Sequence, residues 1–168
     1  RIKCNPAIKR PADREALRNA VNNGLIDTIA TDHAPHLLEE KRGTALTAVS
    51  GMPLIQFSLT LMLQMAEEGM FEIPVIVEKM CHNPAIIYDI DRRGFIRPGY
   101  YADLVLVDND CEPYTITDAW ALSKCGWTPL SGLTVSNKVE MTLVNGQPAY
   151  RFGVLFSRNG GKELRFNR

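Results

Sequence analysis

Asp32, His33 and His36 stand within five residues of one another, directly after the apolar run Ile29-Ala30 and Thr31. A carboxylate is a hard oxygen ligand for a metal ion and can also take up and return a proton. An imidazole donates or accepts a hydrogen bond and, when protonated, pairs with an anion. His36 follows Ala34-Pro35, so a turn carries it just past the end of the apolar run. An acid and an imidazole at the mouth of a strand occupy the place where barrel enzymes keep their chemistry. Each piece also has a plainer alternative. Asp32 can cap the turn that follows it while His33 packs beneath. Asn5-Pro6 is a common turn opener, and Ser50-Gly51 can be a flexible joint. His82, between Cys81 and Asn83, reads as a structural or surface histidine, because adjacent Cys and His do not have the spacing of one tetrahedral site. The charge run Glu39-Glu40-Lys41-Arg42 reads as a solvated loop.

The elements around these residues are legible in part. Pro11 suits the first position of a helix, with Asp13 and Glu15 in the turn where acids meet the positive end of the dipole. Leu17, Ala20 and Val21 form one apolar face, and Gly24 reads as the stop. Leu25 to Thr31 then reads as a strand covered on both sides, as in a parallel sheet. Leu37 to Gly51 reads as a mobile surface loop. Pro53 to Glu68 is apolar nearly all round, which predicts a buried helix, and Gly69 ends it. Pro74 opens another helix through Met80, and Asn83-Pro84 reads as the N-cap and N1 pair of a short third one. From about Gly94 the character changes. Asp103 to Asp108 is a compact strand, and Val139–Val144, Asn145-Gly146 and Gln147–Phe152 read as a hairpin with a type I′ turn. Val154–Phe156 and Leu164–Phe166 are further strand candidates.

With 168 residues, one domain plus a small appendage is expected. Nineteen basic residues balance nineteen acidic ones, so nothing points to nucleic acid or an anionic membrane surface. No apolar stretch reaches the roughly 18 residues needed to cross a bilayer. The four cysteines, Cys4, Cys81, Cys111 and Cys125, form no Cys-x-x-Cys pair, so neither a disulfide framework nor a zinc knot is expected, and a reducing, cytoplasmic setting fits. The chain begins Arg1-Ile2-Lys3 without an initiating methionine, which raises the expectation that it is a piece of a longer polypeptide.

Taken together the pieces are far more specific. Asn5-Pro6-Ala7-Ile8-Lys9, then Ile29-Ala30-Thr31-Asp32-His33-Ala34-Pro35-His36 with Glu39-Glu40-Lys41 behind it, resembles the dihydroorotases of the amidohydrolase superfamily. Asn83-Pro84-Ala85, Gly94, Pro98-Gly99 and Ala102-Asp103-Leu104-Val105-Leu106-Val107-Asp108 are similar to that superfamily's C-terminal signature. The resemblance covers essentially the whole chain, but only the C-terminal part of such an enzyme. It implies an α/β fold: residues 1–93 as the last strand and helices of a TIM-like (β/α)8 metal-dependent hydrolase barrel, and residues 94–168 as part of a small β-sandwich.

The implied activity is the zinc-dependent, reversible interconversion of N-carbamoyl-L-aspartate and L-dihydroorotate in pyrimidine biosynthesis. Asp32 matches the aspartate at the end of the eighth barrel strand, a zinc ligand that also serves as the general acid/base. Asn5 and His36 match residues that bind the substrate, with His36 available to its carboxylate, and Ser50 and Gly51 match the substrate loop. A small-molecule substrate, a homodimer and association with aspartate carbamoyltransferase are also implied. Two related possibilities are a dihydropyrimidinase- or allantoinase-like hydrolase, which generally lacks the histidine at position 36, and a non-catalytic dihydroorotase-like scaffold. The chain departs from the family in having Ala7-Ile8-Lys9 where many members have Pro-Leu-Arg, and in its Ser50-Gly51-Met52-Pro53 loop. The larger departure is that the His-x-His pair, the bridging acid or carboxylated lysine and the two later histidines of the zinc pair are not in this sequence, whose histidines are His33, His36 and His82.

Overall fold

The computed structural model describes residues 1–156 and 160–167; residues 157–159 and 168, which fall in the expected β-sandwich segment, lie outside the described residues. The chain is α/β, with helices in its first half and antiparallel strands in its second.

Helix α1 spans Pro11–Asn22, with Pro11 at its start. Asp13 accepts the Arg10 backbone N–H at 3.0 Å and its guanidinium at 3.2 Å, while its own N–H donates to the Arg10 carbonyl at 3.0 Å, so the first turn is closed by bonds in both directions. At the other end Leu25 N–H reaches the Ala20 carbonyl at 2.8 Å and Gly24 N–H reaches Val21 at 3.2 Å, the pair of bonds expected where a glycine stops a helix. Both ends therefore follow from local residue types.

The strand expected over Leu25–Thr31 does not form. The segment pairs with no strand of the described residues; it is tied to the region of residues 73–87 by Ile29 N–H to the Lys79 carbonyl at 3.1 Å and by the Asn83 amide to the Asp27 carbonyl at 2.8 Å. A parallel strand takes its ladder from neighbours on either side, and no neighbouring strand lies in this half. Ile26 and Ile29 still pack inward against Val21, Met62, Phe71 and Ile76, the core of the helical half.

Helix α2 (Ser58–Glu67) follows a 3₁₀ turn at Ile55–Phe57. It buries Thr60 and Met62, and its other residues from Ser58 to Ala66 are half-buried, so the expected buried helix is covered in part on all sides, with Glu67 exposed at its end. Helix α3 (Ile73–Val77) runs through a π-helical turn at Glu78–His82 into α4 (Asn83–Ile87). Asn83 is thus not an N-cap. Its backbone is helical (φ −63°, ψ −41°), and its amide donates to the Asp27 carbonyl at 2.8 Å and to Glu78 at 3.2 Å. Pro84 has no N–H and would crowd a regular preceding turn; the wider π turn accommodates it.

The second half holds a four-stranded sheet in the order β1 (Leu104–Asp108), β4 (Lys138–Val144), β5 (Gln147–Arg151), β6 (Val154–Leu155). All its pairs are antiparallel. Asn145 (φ 51°) and Gly146 (φ 80°) form the type I′ turn between β4 and β5. Asp103 fixes that turn by accepting the Asn145 N–H at 2.7 Å and pairing with Arg93. A short pair, β2 (Tyr114–Thr115) and β3 (Thr134–Val135), crosses back to the first half, where Ile116 and Val135 are buried on Phe57. Leu164–Phe166 forms no strand; Phe166 makes one isolated bridge to Ile90.

Candidate active site

Asp32 lies on left-handed backbone with φ 45°. An aspartate tolerates this region better than most residues, yet it is sparsely populated and concentrates at functional turns. The kink turns the chain at the end of the 25–31 segment and leaves the Asp32 side chain exposed. Among the described residues its carboxylate makes no hydrogen bond or ion pair.

His33 does something different from Asp32. Its Nδ1 accepts the backbone N–H groups of Leu54 and Ile55, both at 3.1 Å. That ring nitrogen is therefore the unprotonated one, and the imidazole anchors the 54–55 turn leading into α2. Next to it, Ala34 N–H donates to the Met52 carbonyl at 3.1 Å, and His33 and Met52 form a parallel bridge. The Asp32–His36 turn is thus laid along residues 51–55.

His36 is half-buried, with Nδ1 3.7 Å from Glu40 Oε2. Glu40 also accepts the Leu37 N–H at 2.7 Å, which ties the turn back on itself. The carbonyl of His36 accepts the indole N–H of Trp127 at 2.8 Å, and Trp127 is 1% exposed. A buried tryptophan whose N–H finds its partner is a fixed support. Asp118 secures the same segment by accepting the Thr128 N–H at 3.0 Å and pairing with Arg1 at 2.8 Å.

Gly51 is buried against this turn. Its φ of 130° excludes most side chains, and a Cβ there would sit 2.7 Å from Ala34 Cβ and 2.9 Å from His36 Cδ2. Its N–H donates to the Lys3 carbonyl at 2.9 Å, which brings the 3–6 segment, and with it the exposed Asn5, alongside the 50–51 loop. Asn5, His36, Ser50 and Gly51 are therefore carried by segments bonded to one another.

Lys41 ties that assembly together and departs from the expected solvated charge run, whose Glu39, Glu40 and Arg42 are exposed. It is 6% exposed, and its Nζ donates to the carbonyls of Lys3 at 2.9 Å, Val49 at 2.7 Å and Gly51 at 2.8 Å. Burial, followed by the charge of nearby Lys3, holds the Lys41 ammonium below the usual lysine range. Lys3 itself donates to the Ala48 carbonyl on the same loop. Neither Lys41 nor Trp127 was marked by its sequence context; the charge run around Lys41 pointed to solvent. His82 stacks on Phe95 at 4.3 Å, as a structural histidine would.

The donor set does not amount to a metal centre. Among the described residues no group of three or more His, Cys, Asp or Glu comes together to hold an ion. Asp32 offers one carboxylate, and the neighbouring imidazole is committed through Nδ1 to Leu54 and Ile55. No helix of the described residues is long and apolar enough to cross a membrane.

Comparison with known proteins places this arrangement. The model of the amidohydrolase family matches residues 4–149. A dihydroorotase of Geobacter metallireducens is 38% identical over 89% of this chain and 35% of its own length. One of Pyrococcus furiosus is 36% identical over 97% of this chain and 37% of its own length. The chain thus spans little more than a third of the curated relatives it matches. Among solved structures, an L-hydantoinase (dihydropyrimidinase) from Arthrobacter aurescens superposes with a TM-score of 0.85 at 27% identity, over 92% of this chain and 35% of that one. A D-hydantoinase from Thermus sp. superposes with a TM-score of 0.86 at 24% identity, over 94% and 35%, a likeness of fold alone. With the family pattern running through most of its length and the same fold in solved relatives, the chain belongs to the amidohydrolase family.

Proposed function

We propose that the chain is the C-terminal part of a dihydroorotase, a cyclic amide hydrolase that interconverts N-carbamoyl-L-aspartate and L-dihydroorotate. The observation that carries this reading is the bonded assembly of the Asp32–His36 turn, the Asn5 segment and the Ser50-Gly51 loop, with Gly51 pressed against His36. The dihydroorotase relatives at 36–38% identity support it. In the proposed division, residues 1–93 close a barrel and residues 94–168 contribute to a β-sandwich.

The roles follow from the chemistry of each group. The exposed Asp32 carboxylate carries the proton, taking it from the attacking water and giving it to the amide nitrogen as the ring C–N bond breaks. His36, with Glu40 beside its Nδ1, presents its ring to the substrate carboxylate; a charged pair of this kind is stronger than a neutral hydrogen bond. Asn5 offers both a donor and an acceptor to the ring amide, and the Ser50-Gly51 backbone lies against the same space. The family chemistry calls for zinc. The single carboxylate of this chain does not fit a zinc pair, so the remaining ligands belong, in this proposal, to the part of the enzyme outside these residues. An apolar groove of about 750 Å³, lined by Ile8, Leu17, Val21, Ile29 and Phe71, supports the same view: it is the kind of surface a barrel neighbour covers. A homodimer, association with aspartate carbamoyltransferase and a cytoplasmic location complete the proposal.

A hydantoinase- or dihydropyrimidinase-like specificity is the second reading, favoured by the structural likeness to the L-hydantoinase. A substrate panel on the complete protein separates the two. L-dihydroorotate is expected to exceed dihydrouracil, hydantoin and allantoin in kcat/KM by about a hundredfold or more, since a site built around a carboxylate leaves its partner unpaired with neutral rings. Equal or better turnover of the uncharged rings contradicts it.

A further inference from the structure

We infer that Lys41 is a positioning residue for the substrate-binding groups: its ammonium ties the Asn5 segment and the Ser50-Gly51 loop into one rigid wall beside His36. The inference rests on the reading that Asn5, His36, Ser50 and Gly51 face the substrate. An ammonium has three N–H donors and no acceptor. Here all three have a carbonyl partner, on Lys3, Val49 and Gly51, within 2.7–2.9 Å. Lys3 stands two residues before Asn5, and Val49 and Gly51 bracket Ser50. The lysine's own backbone follows Glu40, the residue beside His36, and its N–H bonds the Leu37 carbonyl at 3.3 Å. One lysine thus joins the three segments that carry the proposed substrate contacts, two through its ammonium and the His36 segment through its backbone.

The geometry also explains why a charge is held in a buried place. Three carbonyls that converge on one point repel each other unless a donor sits between them, and a buried carbonyl without a partner is costly. Remove the ammonium and the carbonyls of Val49 and Gly51 must turn outward to water. Gly51 would then lose its tight approach to Ala34 and His36. Arginine is a poor substitute, because its planar fork cannot point donors at three carbonyls arranged as a tripod.

The test compares Lys41→Met and Lys41→Arg with the wild type in the complete protein, by amide hydrogen exchange at Gly51 and Ala34 and by kinetics with L-dihydroorotate. In Lys41→Met, exchange at Gly51 is expected to speed up by about tenfold or more. KM is expected to rise about tenfold, with a smaller fall in kcat, because the groups displaced bind substrate rather than move the proton. Lys41→Arg should fall between the two, and it stands in if the methionine variant does not fold. A folded variant with unchanged Gly51 exchange, or with unchanged KM despite faster exchange, overturns the inference. If the wild type does not turn over L-dihydroorotate, the functional reading fails instead, and exchange at Gly51 alone decides the role of Lys41: protection lost supports it, protection kept overturns it.

Discussion

Gly51 and His36 are the residues at which the site is most exposed to test. A Gly51→Ala side chain would meet Ala34 Cβ and the Ala34 carbonyl at 2.7 Å on backbone with φ 130°. Both the contact and the conformation are unfavourable, so the variant should lose about 1–3 kcal/mol of stability, read as a lower melting temperature. It should also raise KM for L-dihydroorotate in the complete enzyme, because the added Cβ also crowds His36 Cδ2, at 2.9 Å. His36→Ala should raise KM for L-dihydroorotate at least about tenfold more than for an uncharged cyclic amide, one lost charged hydrogen bond being worth roughly 1.5–3 kcal/mol. Equal effects on both substrates would remove His36 from carboxylate recognition. At this scale the sequence was informative where a residue's chemistry is short-range. The Asp32–His36 string pointed to a turn, and the structure has one. Lys41 was opaque for a physical reason: a lysine in a charge run is normally solvated, and the three carbonyls that reverse this come from residues 8, 10 and 38 positions away. Trp127 was opaque for the same reason, its partner being 91 positions distant.

The elements divide along the same line between local and distant causes. Helix α1 was readable from Pro11 to Gly24, and the β4–β5 hairpin from Asn145-Gly146, because caps and tight turns are decided by neighbours in sequence. Segment 25–31 was read as a strand from its apolar run, and among the described residues no strand lies beside it to give it a ladder. The run through Pro84 was read as a break, and a π turn carries the helix across it. That turn holds the candidate site from behind, since Glu78, Lys79 and Asn83 form a polar knot that grips the Asp27 and Ile29 backbone. The hydrogen bond from Lys79, then that from Asn83, holds the Glu78 carboxyl below its ordinary 4.5. A carboxyl with a depressed folded pKa contributes stability that is fully present above its unfolded value and is lost as pH falls through the folded one. Wild type should therefore lose more melting temperature than Glu78→Gln as pH drops from 5 to about 3. Parallel curves for the two proteins would show that the knot does not titrate with Glu78.

At the scale of the whole molecule, apolar surface and an incomplete donor set point the same way. The groove below α1 and the exposed Ile8 and Leu17 leave a hydrophobic face, which the proposed reading assigns to contact with the rest of a barrel. The isolated 168-residue chain is expected to bind a hydrophobic dye strongly, to hold no stoichiometric zinc and to turn over no L-dihydroorotate. Full activity with stoichiometric zinc in the isolated chain would contradict the fragment reading. The central claim is that the Asp32 turn is the proton-carrying corner of a dihydroorotase. Its most direct test is kcat for L-dihydroorotate in the complete protein, wild type against Asp32→Ala, with folding checked by circular dichroism. Measurable wild-type turnover that falls by about a thousandfold or more in a folded Asp32→Ala variant is the expected result. Near-normal kcat in that variant, or a wild type that hydrolyses only uncharged rings, would contradict it.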